Sequence, residues 1–313
     1  MPHALITGGA GFIGSHLVDQ LVEEGWEVTV LDNFDSFYDC NIKRHNIARH
    51  VNNHRYHLGE ADICDCAALK GFENSYDVIV HLAARAGVRP SIEEPLAYQQ
   101  TNVNGTQNLL EFARRCGVRQ FVFASSSSVY GVNPHVPWRE DDHVLQPISP
   151  YASTKISGEL LGHVYAHLYG IRFIGLRFFT VYGPRQRPDL AIHKFARLMR
   201  THQPIPIFGD GNTRRDYTYV EDITAGIRAA MEYQGSEYEI INLGSGRTVS
   251  VLDMIELLEE CLGVRARVCR YRDQPGDVPI TYADVSKAAT LLKYSPQMEF
   301  TDGLRRFVEW LPR

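Results

Sequence analysis

Long apolar runs are missing from the sequence. No segment reaches the roughly 18 consecutive apolar residues that a membrane span needs. The N-terminus lacks a basic segment followed by an apolar stretch and a cleavage site, so no signal peptide is expected. Cysteine is scarce: six in 313 residues, Cys40, Cys64, Cys66, Cys116, Cys261 and Cys269. They form no CxxC pair, and no nearby histidine stands at zinc-ligand spacing, which argues against a disulfide scaffold and against a metal site. Reduced thiols point to a reducing compartment, and a cytoplasmic location is the expectation. Basic runs are absent as well. Lys plus Arg number 32 against 37 for Asp plus Glu, a formal net charge of −5. That balance argues against general binding to nucleic acid or to a membrane surface. No repeat at a fixed period and no low-complexity segment interrupts the chain.

What is present is ordinary globular composition, 44% apolar and 22% charged, in a length that holds one large domain or two moderate ones. The first residues alternate in a readable way. Ala4 to Thr7 is a short apolar run that ends in Gly8-Gly9-Ala10-Gly11, the pattern of a buried strand and a turn. From Phe12 to Glu24, Ile13, Leu17, Leu21 and Val22 recur at helical spacing, and Gly25 stops the helix. Trp26 to Asp32 is rich in strand formers. A strand–helix–strand unit of about thirty residues implies a parallel pair. The same alternation continues. Strands are expected at 78–83, 121–124 and 172–179, and helices at 104–115 and 150–169. This argues for a doubly wound α/β domain over residues 1–179. After Thr180, prolines break the pattern and loops lengthen. Residues 180–313 read as a smaller mixed α/β region that caps the sheet, with some segments returning to the first domain.

Glycines at 8, 11 and 14 follow the first strand and open the first helix. Glycine allows a tight turn and a close approach of backbone to a pyrophosphate, and the helix end presents free N–H groups to it. Asp32, at the end of the second strand, can accept hydrogen bonds from a ribose diol and repels a 2′-phosphate, which favours NAD over NADP. It also reads as a plain polar strand end. Asp62 stands where it could reach the adenine.

Tyr151 and Lys155 share one helix face. A phenol works as a general base near neutral pH only if its pKa falls from about 10 toward 7, about 4 kcal/mol of differential stabilisation. An ammonium on the same face supplies part of that, although Tyr/Lys pairs are also common on helix surfaces. Ser125 to Ser128 follow a strand at the sheet's C-terminal edge, where open α/β sheets place their active sites. Four serines exceed what a turn or a helix cap requires.

The glycine turn, Ser126, Tyr151 and Lys155 together resemble the extended short-chain dehydrogenase/reductases, in their nucleotide-sugar epimerase and dehydratase branch. The resemblance covers nearly the whole chain. It includes Ser125-Ser126-Ser127-Ser128-Val129-Tyr130-Gly131, Phe178-Phe179-Thr180-Val181-Tyr182-Gly183-Pro184 and Arg215-Asp216-Tyr217-Thr218-Tyr219-Val220. It implies a Rossmann domain holding NAD and a nucleoside-diphosphate sugar as substrate. Tyr151 would take the proton of the sugar 4-hydroxyl while the 4-hydrogen leaves as hydride. The transient 4-keto sugar would then turn over and be reduced on its other face. Catalytic roles fall on Ser126, Ser127, Tyr151 and Lys155. Cofactor contacts fall on Gly8, Gly11, Phe12, Ile13, Gly14, Asp32, Asn33, Asp62, Ile63, Leu82, Ala83, Ala84, Asn102, Tyr151 and Lys155. The family also implies a homodimer.

The 4,6-dehydratases of the branch carry an Asp-Glu pair where this chain has Ser127-Ser128, and the decarboxylating enzymes carry a Glu at the position of Ser128. Serines cannot do that acid–base work at neutral pH, so an epimerase remains. The run Thr180 to Asp189, with Thr180 where galactose epimerases carry Asn, is similar to the UDP-glucuronate 4-epimerases. A sugar carboxylate calls for an arginine fork. Arg185 is the candidate, with Thr180, Ser127 and Ser128 beside it; Arg185 and Arg187 also read as loop decoration or partners of Asp189. By the same resemblance Arg215 meets the diphosphate, Ile207 and Phe208 pack on the uracil, and Asp277 reaches its ribose. Gln274 stands where galactose epimerases have a second phosphate-binding arginine. Arg85 faces substrate or solvent. The expected activity is 4-epimerisation of UDP-glucuronate to UDP-galacturonate. The rivals are a UDP-glucose/UDP-galactose 4-epimerase and a non-catalytic NAD sensor.

Overall fold

The short apolar runs assemble into one parallel sheet. The computed structural model describes residues 1–272, 274 and 276–312. Six strands come from the residues before Thr180: β1 (His3–Thr7), β2 (Glu27–Asp32), β3 (Tyr56–Glu60), β4 (Val78–His81), β5 (Gln120–Ser126) and β6 (Arg172–Phe178). A seventh, Tyr238–Leu243, pairs in parallel with β6 and completes the sheet. From that seventh strand the order runs β6, β5, β4, β1, β2, β3. The order reverses between β1 and β4, and in such sheets ligands bind in the crevice at that reversal.

Side chains along a strand alternate between faces, so neighbours in sequence serve different cores. Ile6, Val80 and Val122 pack on one face against Leu17, Leu21 and Ile223. Leu5, Ile79 and Phe121 pack on the other against Leu109, Leu110 and Phe112. Both faces are covered, which is why these strands read as unbroken apolar runs.

Two helices matter for the site. Helix α1 spans Phe12–Glu23. The helix Pro150–Tyr169 starts at Ser149, whose hydroxyl accepts from the Ala152 N–H, and ends at Gly170 in the left-handed region, as the Pro150 and Gly170 signals predict. The segments after Thr180 interleave with the sheet. The helix Val220–Glu232 packs on α1, and the strand Tyr238–Leu243 lies beside β6. The remaining segments build a separate core around Tyr182, Phe195, Met254, Leu258 and Phe307. Three two-stranded ribbons flank it, pairing Thr180–Tyr182 with Tyr217–Tyr219, Arg214–Arg215 with Val249–Ser250, and Ile205–Phe208 with Val268–Tyr271. Among the described residues no helix is long and apolar enough to cross a membrane.

Candidate active site

A cavity of about 660 Å³ opens at the C-terminal edge of the sheet, along the reversal between β1 and β4. Its floor is the turn from β1 into α1. Gly8 is left-handed there (φ 70°), and a Cβ on it would lie 2.8 Å from the Ala83 amide nitrogen. A Cβ on Gly14 would collide with the Gly8 carbonyl. The chain therefore crosses itself with no room for a side chain. Gly11 caps α1 without any side-chain acceptor, and the first turn of α1 carries no acid. Its N–H groups and positive dipole end remain available to an anion. Gly8, Gly11, Phe12, Ile13 and Gly14 all line the cavity. This backbone cradle fits a dinucleotide pyrophosphate.

Asp32, Asn33, Asp62, Ile63, Leu82, Ala83 and Ala84 line the same cavity. Asp32 accepts from the Ala10 and Phe34 amides at 3.1 and 2.9 Å, and burial pushes its pKa up. Asn33 donates to Asp62 at 2.9 Å, which links the ends of β2 and β3. Asn102 differs from expectation. It is buried behind the wall, where it takes the Arg85 N–H and donates to the Arg85 carbonyl and the Thr154 hydroxyl. It fastens the loop after β4 to the helix Pro150–Tyr169 and does not line the cavity. Asp35, Phe37, Tyr38 and Lys43, none of them expected from the sequence, form another part of the wall. Asp35, Phe37 and Tyr38 sit in the irregular stretch after β2, whose composition carries no periodic signal, and Lys43 lies in the helix Cys40–Ile47 that follows.

Ser126 ends β5 and faces the start of the helix that carries Tyr151 and Lys155. All three line the cavity, with Ser127 and Ser128. Burial raises the Tyr151 pKa, with Ser126 and then Arg187 pulling it down. Burial lowers Lys155 to about 7, opposed by Glu159. Lys155 Nζ donates to the Ala124 carbonyl at 2.7 Å and lies 5.8 Å from the centre of the Tyr151 ring. One turn further along, Glu159 is buried in a bidentate pair with Arg177 of β6 (2.9 and 2.8 Å) and accepts from Ser125 at 2.5 Å. The helix thus places an acid next to Lys155, and the acid is itself neutralised from the sheet.

The two arginines of the 183–190 loop go to different walls. Arg187 lines the cavity with Tyr151 and Thr180. Its guanidinium lies 5.5 Å from the Phe37 ring centre and is forked to Asp189 at 3.0 and 2.7 Å. Arg185, the expected carboxylate ligand, is not in the lining. It takes a left-handed conformation (φ 63°) and pairs with Asp19 of α1 at 2.7 Å. The reversal at Arg185 turns its side chain toward α1 and leaves Arg187 facing the cavity. Arg85 lines the cavity, but its charge is shared with Glu94 at 2.7 Å and Asp35 at 3.5 Å.

A smaller cavity of about 160 Å³ continues from the first and shares Val88, Ser127, Ser128 and Thr180 with it. Arg215 and Asp277 line it. Burial lowers the Arg215 pKa. Its guanidinium donates to the Arg214 carbonyl at 2.9 Å, and among the described residues no carboxylate lies within ion-pair distance of it. Ile207 is 1% exposed and belongs to the C-terminal core, so it is not a lining residue. Strand alternation turns Phe208 the other way. There the Arg89 guanidinium sits 4.7 Å over its ring and pairs with Asp277 at 2.7 Å.

A cofactor cradle, a Ser/Tyr/Lys set and the buried Arg215 therefore follow one another along a connected cleft. The profile of the NAD dependent epimerase/dehydratase family matches residues 4–244. The UDP-glucuronate 4-epimerase of Thermodesulfobacterium geofontis is 42% identical over 99% of this chain and 96% of its own length. The crystal structure of UDP-glucuronic acid 4-epimerase from Bacillus cereus, in complex with UDP-glucuronic acid and NAD, superimposes with a TM-score of 0.91 at 39% identity, over 98% of each chain. A UDP-glucose 4-epimerase from Thermotoga maritima, with UDP-glucose, reaches 0.90 at 35% identity, again over 98% of each chain. Motif, cleft and full-length similarity coincide, and on that ground the chain belongs to the NAD dependent epimerase/dehydratase family.

Proposed function

We propose that the protein interconverts UDP-glucuronate and UDP-galacturonate by NAD-dependent inversion at C4 of the sugar. The observation that carries this reading is the position of Arg187, a cation in the wall of the same cavity as Tyr151, Ser126 and Lys155. Relatives named for this activity support it along the full chain.

Bound NAD supplies the acceptor and donor for the hydrogen and electron pair of C4. The chain does the rest. The backbone at Gly8 to Gly14 and the N-terminus of α1 would hold the pyrophosphate, and Asp32 the adenosine ribose. Tyr151 Oη takes the 4-hydroxyl proton, shared with the Ser126 hydroxyl, and returns it in the second half-reaction. The Lys155 ammonium favours the phenolate. Arg215, which no carboxylate of the described residues pairs, would meet the diphosphate, and Phe208 with Asp277 the uridine. Arg187 would fork onto the sugar carboxylate, helped by the Thr180 and Ser128 hydroxyls. That contact bears on chemistry as well as affinity. The 4-keto sugar acid is a β-keto acid, and it loses carbon dioxide only when the breaking bond aligns with the carbonyl π system. A carboxylate held in the sugar plane resists this. Residues 180–313 thus supply most of the nucleotide-sugar contacts, and the sheet supplies the cofactor site.

Proton NMR of the protein with UDP-glucuronate, and separately with UDP-glucose, tests the reading. Conversion of UDP-glucuronate alone is expected. Conversion of UDP-glucose alone would replace the reading with a neutral-sugar epimerase.

We further infer a homodimer in the cytoplasm. Leu160, Val164 and Leu168 recur one turn apart on the helix Pro150–Tyr169, and all are exposed, as is Leu96. A stripe of this kind is ordinarily covered, and a second copy of the same helix offers a matching one. Sedimentation of the Leu160→Glu/Leu168→Glu variant is expected to give a monomer. A wild-type monomer would end the assignment. The six cysteines are all free, in keeping with a reducing compartment.

A further inference from the structure

Arg185 lies outside both cavities and faces α1. The loop that carries Arg187 into the cavity is fastened to α1 on its far side. His16 and Asp19 lie on one face of that helix. His16 Nε2 donates to the Pro184 carbonyl at 2.9 Å, and burial lowers its pKa to about 4, so it is neutral there. Asp19 Oδ2 pairs with Arg185 at 2.7 Å. Its other oxygen is held by Arg49 at 2.8 Å and His50 at 2.6 Å. The Asp19 and Arg185 side chains are only 13% and 19% exposed, so the pair is shielded from solvent more than a surface salt bridge.

The backbone adds a second sign. Arg185 adopts a positive φ that an ordinary side chain avoids. The turn that holds it is closed by the Gln186 N–H donating to the Gly183 carbonyl at 3.2 Å, and it directs the Arg185 side chain onto Asp19. Two residues on, the Arg187 fork is held by Asp189. A bidentate contact to a carboxylate tolerates little displacement. The pair touches neither cavity, yet it fixes the loop that delivers the cation to one cavity from the helix that forms its floor.

We propose that the Asp19–Arg185 ion pair, with the His16–Pro184 hydrogen bond beside it, is a clasp that sets the position of Arg187, making Asp19 and Arg185 positioning residues for recognition of the sugar carboxylate. The inference rests on the assignment of Arg187 to that carboxylate. The clasp ties the loop to the helix that faces the cofactor, so the sugar acid is held in register with the reacting face.

The test is calorimetric titration of the NAD-loaded protein with UDP-glucuronate and with UDP. The variant is Arg185→Asn, because asparagine tolerates the left-handed conformation and removes the charge. Binding of UDP-glucuronate is expected to weaken about tenfold, while UDP binding, which does not involve the sugar, stays as in the wild type. Arg185→Lys should recover part of the loss. In an Arg187→Met background, Arg185→Asn should add nothing further, as expected for residues that act through one contact. If Arg187→Met weakens UDP-glucuronate and Arg185→Asn does not, the clasp is refuted and Arg187 stands. If Arg185→Asn weakens UDP and UDP-glucuronate equally, the pair is a general fold contact and the proposal is also refuted. If Arg187→Met itself has no effect, the carboxylate assignment falls and the clasp with it. Should Arg185→Asn fail to fold, Asp19→Asn breaks the same pair from the helix side and is read by the same criteria.

Discussion

Tyr151→Phe is expected to lower kcat for UDP-glucuronate epimerisation by ~10³-fold or more and to leave substrate affinity nearly unchanged. The substitution removes only the phenolic oxygen. The ring stays in place, edge-on to Tyr98 at 6.2 Å, so the helix and the cavity wall keep their packing. What is lost is the group proposed to take and return the 4-hydroxyl proton. The environment shows how the wild-type side chain is poised. Burial holds the phenol protonated, and Ser126 and Arg187 counter it. Burial also lowers Lys155, to about 7, against the pull of Glu159. The sign for stability follows. A lysine whose folded pKa lies below the unfolded 10.5 destabilises the fold most at low pH, and that cost is relieved as pH rises from about 7 toward 10.5. Steady-state kinetics and calorimetric titration with UDP-glucuronate check the prediction together. Turnover within tenfold of wild type would remove Tyr151 from the role of base and revive a protein that binds NAD without chemistry.

Arg187→Met is expected to raise the KM for UDP-glucuronate by ~10²-fold and to release carbon dioxide from part of the substrate that still turns over. Methionine keeps much of the arginine's aliphatic length and removes the fork. The Asp189 carboxylate, now unpaired, adds repulsion toward the sugar acid and deepens the loss. A neutral UDP-sugar has no carboxylate to lose, so its binding should change little. NMR detection of a pentose product, with kinetics on both substrates, reads the two effects separately. An equal loss on charged and neutral sugars would mean that Arg187 shapes the cavity and does not recognise the acid.

The sequence is most legible where function depends on near neighbours. The turn from Gly8 to Gly14 is one strand–helix junction, and the reason for its glycines is local: backbone crosses backbone there. Tyr151 and Lys155 share a face because they sit four apart on one helix, and Ser126 meets them because β5 lies beside that helix. Ile207 and Phe208 mark a place where a local rule was available and the expectation took both. Alternation along Ile205–Phe208 buries Ile207 in the core and turns Phe208 toward Arg89.

The two arginines of one loop show where that legibility ends. Both Arg185 and Arg187 are flexible cations next to prolines, and no periodicity separates them. Their fates depend on Asp19, from the first helix, and on a backbone reversal at Arg185 itself. Asn102 behaves likewise: its polar side chain suits a cofactor contact, but Thr154 and the Arg85 backbone claim it first. The parallel sheet, the dinucleotide turn and the shared face of Tyr151 and Lys155 were legible in the chain alone, because helical and strand periods and short-range geometry fix them. Which arginine faces the cavity follows from the folded chain alone, since that outcome is a competition between partners brought together from opposite ends of the chain's first two hundred residues.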